Sequence, residues 1–228
     1  MIYYTDSITI SQITHAHLAR IIVEAIDTTY LNISSRIALA IACHYHDHGW
    51  HAWEKNPEIN PNTKTPYSFH DVSAATHIEI WKRSRAIAFE QLSLAGFMVG
   101  HHGIYLATMR KSNTTNTKDI DLLNDFIINE KNHLTQSISN IPKTFSQTER
   151  DTCLTFLKIA DYISLLVCLN TKQHQKNIDE HTITISQDKQ CYKLSLPLSH
   201  TIDYTLRGFD HNSKKDWKRE IKILGSIH

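Results

Sequence analysis

The sequence His44-Tyr45-His46-Asp47-His48-Gly49-Trp50 places an adjacent His-Asp pair at the end of a strongly apolar predicted helix. Residues 36–43 (Arg-Ile-Ala-Leu-Ala-Ile-Ala-Cys) have the pattern of a buried helix, and Gly49 is typical of a helix end. His46 continues the apolar stripe of that helix. The sequence therefore predicts that the pair points into the protein core.

Four further apolar stripes, each on its own predicted helix, are interrupted by one ionisable residue. These residues are His15, His77, His102 and Asp161. An isolated buried carboxylate costs several kcal/mol unless it is paired or bound to a metal. Two carboxylates among four imidazoles therefore predict one or two divalent cations in a helical body. Imidazole with carboxylate suits Fe, Mn, Zn or Ni.

The C-terminal part of the chain has a different pattern, in which apolar and polar residues alternate with period two. The alternating segments are 182–185, 191–196 and 204–206. Lys214-Lys215 with Lys218-Arg219 is interpreted as a solvated tail helix. The sequence thus predicts a mainly α protein. A helical metal-binding domain would cover residues 1–172, and a small antiparallel β appendage, residues 173–228, would pack on it.

Composition excludes several classes of protein. The net charge of +1 gives no reason for bulk attraction to nucleic acid or membranes. The four cysteines form no CxxC pair, which excludes a zinc ribbon or a thioredoxin motif. The first residues lack a signal-peptide pattern, and no apolar run is long enough to cross a bilayer. We therefore expect a cytoplasmic protein. Sixteen histidines in 228 residues are unusually many, but only their positions indicate whether they bind a metal.

The string His46-Asp47-x-Gly49 resembles the signature of the HD superfamily of metal-dependent phosphohydrolases. The order of the other ionisable residues is similar to that of its dinuclear branch. The resemblance implies an HD-type helical bundle in which Asp47 bridges two metals. It implies that His15, His46 and Asp161 complete one centre, and that His77 and His102 complete the other. Fe or Mn is favoured, with Mg, Zn and Ni as alternatives.

A closer resemblance is to a bacterial HD-like family described only as a domain of unknown function. It extends from about Gln12 to Cys168. The motifs that carry it are Gln12-x-x-His15-Ala16-x-Leu18, His46-Asp47-x-Gly49-Trp50, Pro66-Tyr67-Ser68-Phe69, His77 with Trp81, His102-Gly103 and Leu157-x-x-x-Asp161.

The superfamily implies hydrolysis of a small phosphoester or nucleotide by a metal-activated water. Asp47 would be central to catalysis, and His101 or His48 would relay a proton. Many HD phosphohydrolases carry a lysine directly after the signature glycine, and Trp50 stands there in this chain. A phosphate contact must then come from elsewhere. The candidates on the third and fourth helices are Lys82, Arg83, Arg85, Arg110 and Lys111. Trp50 and Tyr67 are interpreted either as substrate contacts or as packing residues.

Two alternatives to a hydrolase stay open. The sequence also resembles HD-type di-iron oxygenases, in which the same types of ligand occur in the same order along the chain. A non-catalytic HD domain that binds a ligand is the other alternative. In each case the expected partner is a small molecule, phosphorylated in the hydrolase case. No membrane or nucleic-acid partner is expected, and a homodimer stays open.

Overall fold

The computed structural model describes residues 1–27, 29, 31–141 and 145–226, except the side chain of Asn140. Its helices within these residues are α1 (Gln12–Ala25), α2 (Ile33–Tyr45), α3 (Trp50–Lys55), α4 (Ala74–Gln91), α5 (Ser93–Ser112), α6 (Thr117–Ser137) and α7 (Gln147–Cys168). None of them combines the length and the apolar character that a crossing of the bilayer requires.

Local side-chain chemistry fixes where the helices begin. The side chains of Ser11, Asn32 and Ser73 each accept a hydrogen bond from a backbone N–H in the first turn of α1, α2 and α4. Ser146 and Glu149 form a reciprocal capping box at the start of α7, as the sequence predicts. Helices are thus present where the apolar stripes predict them, and α3 is an additional short helix after the His-Asp pair.

The strands form one seven-stranded sheet in the order β1-β2-β6-β7-β5-β4-β3. Their bounds are β1 (Ile2–Tyr3), β2 (Ile8–Ile10), β3 (Gln173–Ile178), β4 (His181–Asp188), β5 (Cys191–Pro197), β6 (Ile202–Asp210) and β7 (Lys215–Ser226). Strands β5 and β7 are parallel, and the other neighbours are antiparallel, so the sheet is mixed. It curls into a half-barrel.

The prediction of a mainly α protein with a small antiparallel appendage is wrong, because this sheet is large, mixed and built from both ends of the chain. Ile8 fits the apolar stripe of the first predicted helix, but it pairs with Asp210 in the sheet. The predicted tail helix is the strand β7, in which exposed Lys222 lies between buried Ile221 and Ile223. The division into two domains at residue 172 stays a prediction.

Helices and sheet share one hydrophobic core. Leu18 and Ile22 of α1 belong to the same buried cluster as Leu206 of β6 and Ile223 of β7. On its other side, α1 packs against α2 and α7. The helix that carries His15 is thus held between the sheet and the helices that carry the other ionisable residues. This arrangement fixes the position of the predicted metal ligands.

Candidate metal centre and its cavity

Five side chains predicted as metal ligands meet between the helices. His15 comes from α1, His46 and Asp47 from the turn after α2, His102 from α5 and Asp161 from α7. His15, His46 and Asp47 form one group of potential ligands, and His46, His102 and Asp161 form another. All are buried except Asp161, whose side chain is 16% exposed. The two groups share His46, so we call the five side chains together the metal cluster.

Adjacent ligand atoms in the metal cluster lie 2.9–3.6 Å apart, close to the spacing of neighbouring ligands around an ion. His15 Nε2 lies 3.2 Å from His46 Nε2 and 2.9 Å from Asp161 Oδ1. Asp47 Oδ2 lies 3.6 Å from His15 Nε2 and 3.5 Å from His46 Nε2. His102 Nε2 lies 3.3 Å from Asp161 Oδ2. Ligands about 2.1 Å from a common ion, at tetrahedral or octahedral angles, are separated by about 3.0–3.4 Å.

Outer hydrogen bonds turn two histidines towards the centre. His46 Nδ1 donates to the carbonyl oxygen of Cys43 at 2.6 Å, which leaves Nε2 for the centre. The Ser164 hydroxyl donates to the Asp161 carbonyl oxygen at 2.9 Å and therefore accepts from His15 Nδ1 at 3.0 Å. His15 Nε2 is thus also free to coordinate. Partners of this kind are typical of metal-bound histidines.

His102 gives a further reason to expect an ion. Its two ring nitrogens are buried, and neither has a hydrogen-bond partner among the residues that the structure describes. The approach of Nε2 to Asp161 Oδ2 has an ion-pair distance without hydrogen-bond geometry. An unsatisfied buried polar atom costs about 1–3 kcal/mol. A shared cation would satisfy His102 and both carboxylates together, so the donor set fits a divalent metal.

The electrostatics of the cluster also favour a cation. Burial lowers the pKa of His46, but the Asp47 carboxylate and the hydrogen bond to Asp161 outweigh burial and raise this pKa to about 9. Burial raises the pKa of Asp161, but the adjacent imidazoles of His102, His15 and His46 bring it well below its usual range. Both groups therefore adopt their charged forms near neutral pH. The centre holds positive charge either as protons or as a metal ion.

Gly49 sets the path of the chain after the His-Asp pair. A Cβ atom at this position would lie 2.0 Å from the carbonyl oxygen of Ile80 and 2.8 Å from Ser84 Oγ. The backbone N–H of Gly49 donates to Ser84 Oγ at 2.8 Å. Since only glycine permits this approach to α4, the signature glycine fixes the direction of the His46-Asp47 turn.

A cavity of about 500 Å³ opens beside the metal cluster. His15, Asp47 and Asp161 form part of its wall. Its aromatic and apolar lining consists of Trp50, Phe69, Trp81, Tyr105, Leu106, Met109, Tyr162 and Leu165. Its cations are Arg110, Lys158 and Lys176. Lys158 is paired with Asp179 at 2.8 Å, so the charges of Arg110 and Lys176 are the ones that favour an anionic ligand.

Comparison with known proteins gives a family. A family described as protein of unknown function (DUF3891) matches residues 1–212. The chain belongs to this family. Neither a curated protein nor a solved structure matches it. The match includes the metal cluster and most of the sheet, so the DUF3891 unit comprises both parts of the fold.

His77 is the one predicted ligand of this DUF3891 chain outside the two ligand groups. It lines the same cavity, but an Arg110 guanidinium N–H donates to its Nδ1. Burial and the adjacent Arg110 charge lower the pKa of His77 to about 3, so its ring is neutral. Within the described residues, His77 belongs to neither ligand group, so the second centre of His77 and His102 that the superfamily resemblance implies stays a prediction. The packing of α4 on α5 pairs His77 with Arg110.

The predicted proton relays lie away from the cavity. His101 follows His102 directly, but its ring packs on Phe97 with the centroids 4.4 Å apart. His48 packs against His44 and Tyr45. Neither belongs to the cavity lining. One residue along a helix turns a side chain by about 100°, which explains why neighbours of the ligands face elsewhere.

The predicted substrate contacts divide into two sets. Trp50 lines the cavity, whereas Tyr67 packs in a small apolar cluster behind it. Three cations lie outside the lining. Lys82 forms a surface ion pair with Glu79, Arg83 is exposed, and Arg85 forms an ion pair with buried Glu130. The cations that line the cavity are Arg110, which is among the candidates from the sequence, and Lys158 and Lys176, which are not.

The sequence indicates only weakly that Lys158 and Lys176 lie at the cavity. Lys158 lies one helical turn before Asp161, so its place near the cluster follows once α7 is oriented. Its Nζ forms an ion pair with Asp179 at 2.8 Å. Lys176 lies in β3, with its Nζ 5.1 Å from the centre of the Tyr162 ring. No local pattern predicts that this strand reaches the cavity.

Proposed function

We propose that this protein is a metal-dependent hydrolase that cleaves a small anionic substrate, with phosphoesters as the favoured class. The observation that carries the proposal is the metal cluster beside a cavity with three cations. The His46-Asp47-x-Gly49 resemblance to the HD superfamily supports the same reaction class. Because His77 is held by Arg110, we propose one ion rather than two.

Side chains of the cluster would hold the ion, with His46 common to its two ligand groups. A bound divalent metal lowers the pKa of a coordinated water and so supplies a nucleophile for hydrolysis at neutral pH. Asp47 and Asp161 provide the negative charge that the ion requires, and both belong to the wall of the cavity. Ser164 and the Cys43 carbonyl orient the His15 and His46 rings for binding.

The rest of the cavity would bind and orient the substrate. Arg110, Lys158 and Lys176 attract an anionic group, which offsets the missing lysine at the position of Trp50. The indole rings of Trp50 and Trp81 give an apolar surface beside the centre. Such a surface excludes water and strengthens the electrostatic interactions inside the cavity. A substrate with an apolar body and an anionic end fits this wall.

Neighbouring histidines offer a matched test. His102→Ala should lower metal affinity by more than about 100-fold, beyond the 10–100-fold typical of outer-shell changes. His101→Ala removes an identical side chain one residue away and should keep the metal, because His101 packs on Phe97. Metal content of anaerobically purified protein gives the first measurement. A phosphoester panel, with and without oxygen, gives the second.

The alternatives have distinct outcomes in this experiment. Two irons per chain with oxygen-dependent turnover would replace the hydrolase with an HD-type oxygenase. A bound metal with a tightly held ligand and no turnover would indicate a non-catalytic binding protein. Equal metal content in the wild type, His102→Ala and Asp47→Ala would refute the ligand assignment itself.

A further inference from the structure

We propose that Arg110 and His77 form an oxyanion-binding subsite in the cavity, with His77 acting as a positioning residue rather than a metal ligand. The subsite would take a phosphate or carboxylate group. That this group belongs to a substrate rests on the proposed function. The positioning role of His77 does not depend on it.

Two acceptors from different elements fix the Arg110 guanidinium. One Nη1 proton goes to His77 Nδ1, on α4. One Nη2 proton goes to the Val72 carbonyl oxygen at 2.9 Å, in the segment before α4. A guanidinium has five N–H donors, so three remain. Because Arg110 lines the cavity, this fork is available to a ligand there.

His77 is itself immobilised. Its ring stacks on Trp81 at a centroid distance of 5.0 Å and meets the edge of Trp50 at 5.4 Å. The residue is 8% exposed. Since a guanidinium only donates, the Nδ1 atom that faces it carries a lone pair and the ring is neutral. A clamped, neutral imidazole is suited to orienting a cation.

Arg110 also has no carboxylate partner. Lys82, Arg85 and Lys158 each form an ion pair with an acidic side chain, whereas no carboxylate of the described residues does so with Arg110. Its two direct hydrogen-bond acceptors are neutral, and Asp119 acts on its charge only from beyond ion-pair distance. An oxyanion bound by two of the remaining N–H groups would supply the missing charge in the bidentate geometry that arginine favours.

The test uses the full-length protein and inorganic phosphate as the probe, with affinity measured by titration calorimetry. Arg110→Gln should weaken phosphate binding by about tenfold or more. Lys82→Gln removes one positive charge outside the cavity and should change the affinity by less than about twofold, because screening by salt is strong there. Equal loss in both variants would show a general charge effect and overturn the subsite.

Two substitutions of His77 separate positioning from ligation. His77→Gln keeps an acceptor for Arg110, whereas His77→Leu has a similar size and no acceptor. We expect near wild-type phosphate affinity for Gln, about a tenfold loss for Leu, and unchanged metal content in both. Equal affinities in the two variants would refute the positioning role. Loss of metal from both would make His77 a ligand.

The outcomes distinguish this inference from the proposed function. If the wild type binds no metal, the hydrolase proposal fails, while the Gln and Leu variants still report on Arg110 through phosphate binding. If the wild type binds metal and the His77 variants lose it, the hydrolase proposal stands and the subsite fails. Arg110→Gln leaves the Trp50–His77–Trp81 stack in place, so it tests phosphate binding even if His77→Leu does not fold.

Discussion

His46 shows how one residue links metal binding to protonation. It lies between two carboxylates that raise its pKa to about 9, although burial alone would lower it. The metal-free protein therefore carries a proton on His46 at pH 7, on the atom that a metal would need. Metal and proton compete for the same nitrogen.

We predict that metal binding at pH 7 releases about one proton per ion from His46, since its pKa of about 9 lies well above the working pH. Metal affinity should then rise about tenfold per pH unit until pH 9. Calorimetric titrations in two buffers of different ionisation enthalpy count the protons. A binding heat that is the same in both buffers would contradict the prediction.

The same proton affects the stability of the metal-free protein. The pKa of His46 is raised from 6.5 to about 9 on folding. Its contribution to the free energy of unfolding is therefore fully present below pH 6.5 and is lost as the pH rises through 9. Urea denaturation at pH 6.5 and 9 should show a lower midpoint at pH 9, and His46→Gln should reduce that difference.

Two histidines show what helical periodicity can and cannot predict about a single residue. His77 and His102 both interrupt an apolar stripe, so helical periodicity places both side chains inward. Only His102 meets the carboxylates, because the partner of His77 is determined by how α4 packs on α5. Periodicity reports the direction of a side chain from its helix axis, but not which neighbour it meets.

At the scale of elements, the turn between α2 and α3 is under the tightest steric constraint. A Cβ at Gly49 would overlap the Ile80 carbonyl oxygen of α4, a backbone atom that cannot move alone. Gly103 on α5 is different, because its nearest neighbour would be Trp81 Cβ at 3.5 Å, an ordinary contact. The two glycines form a matched pair.

We predict that Gly49→Ala destabilises the protein by about 3 kcal/mol or more, at or above the upper end of typical overpacking costs. Gly103→Ala should leave stability unchanged or raise it by about 1 kcal/mol, since alanine is the better helix former. Urea denaturation measures both. Gly49→Ala should also weaken metal binding, because it displaces the turn of His46 and Asp47. Equal effects of the two substitutions would refute the steric account.

The helices were predictable as elements and several strands were not. Caps such as Ser73 and the Ser146–Glu149 box are local signals, and they coincide with the observed helix starts. Strand β2 has three residues, and Ile8 also fits a helical stripe. Its pairing with β6 joins residues that are far apart in the chain, as in Thr9 and Phe209, which are 200 positions apart. Such a contact has no signature in a local pattern.

For the whole molecule, the sheet is part of the same body as the metal centre. Lys176 of β3 lines the cavity, and Asp179, which follows β3, pairs with Lys158 of α7. The N-terminal strands belong to this sheet and lead directly into α1, which carries His15. The geometry of the centre thus depends on strands from both ends of the chain.

We predict that helices and sheet unfold in one cooperative transition, because they share one core in which Leu18, Phe156, Tyr192 and Leu206 are buried together. Hydrogen exchange at increasing denaturant measures this directly. Peptides from β5 and α7 should give the same free energy of opening, whereas the exposed end of α6 should open earlier by fraying. Exchange of β5 at a clearly lower free energy than α7 would instead mean that the sheet is a separately stable unit, and that the cavity wall around Lys176 can open without loss of the metal cluster.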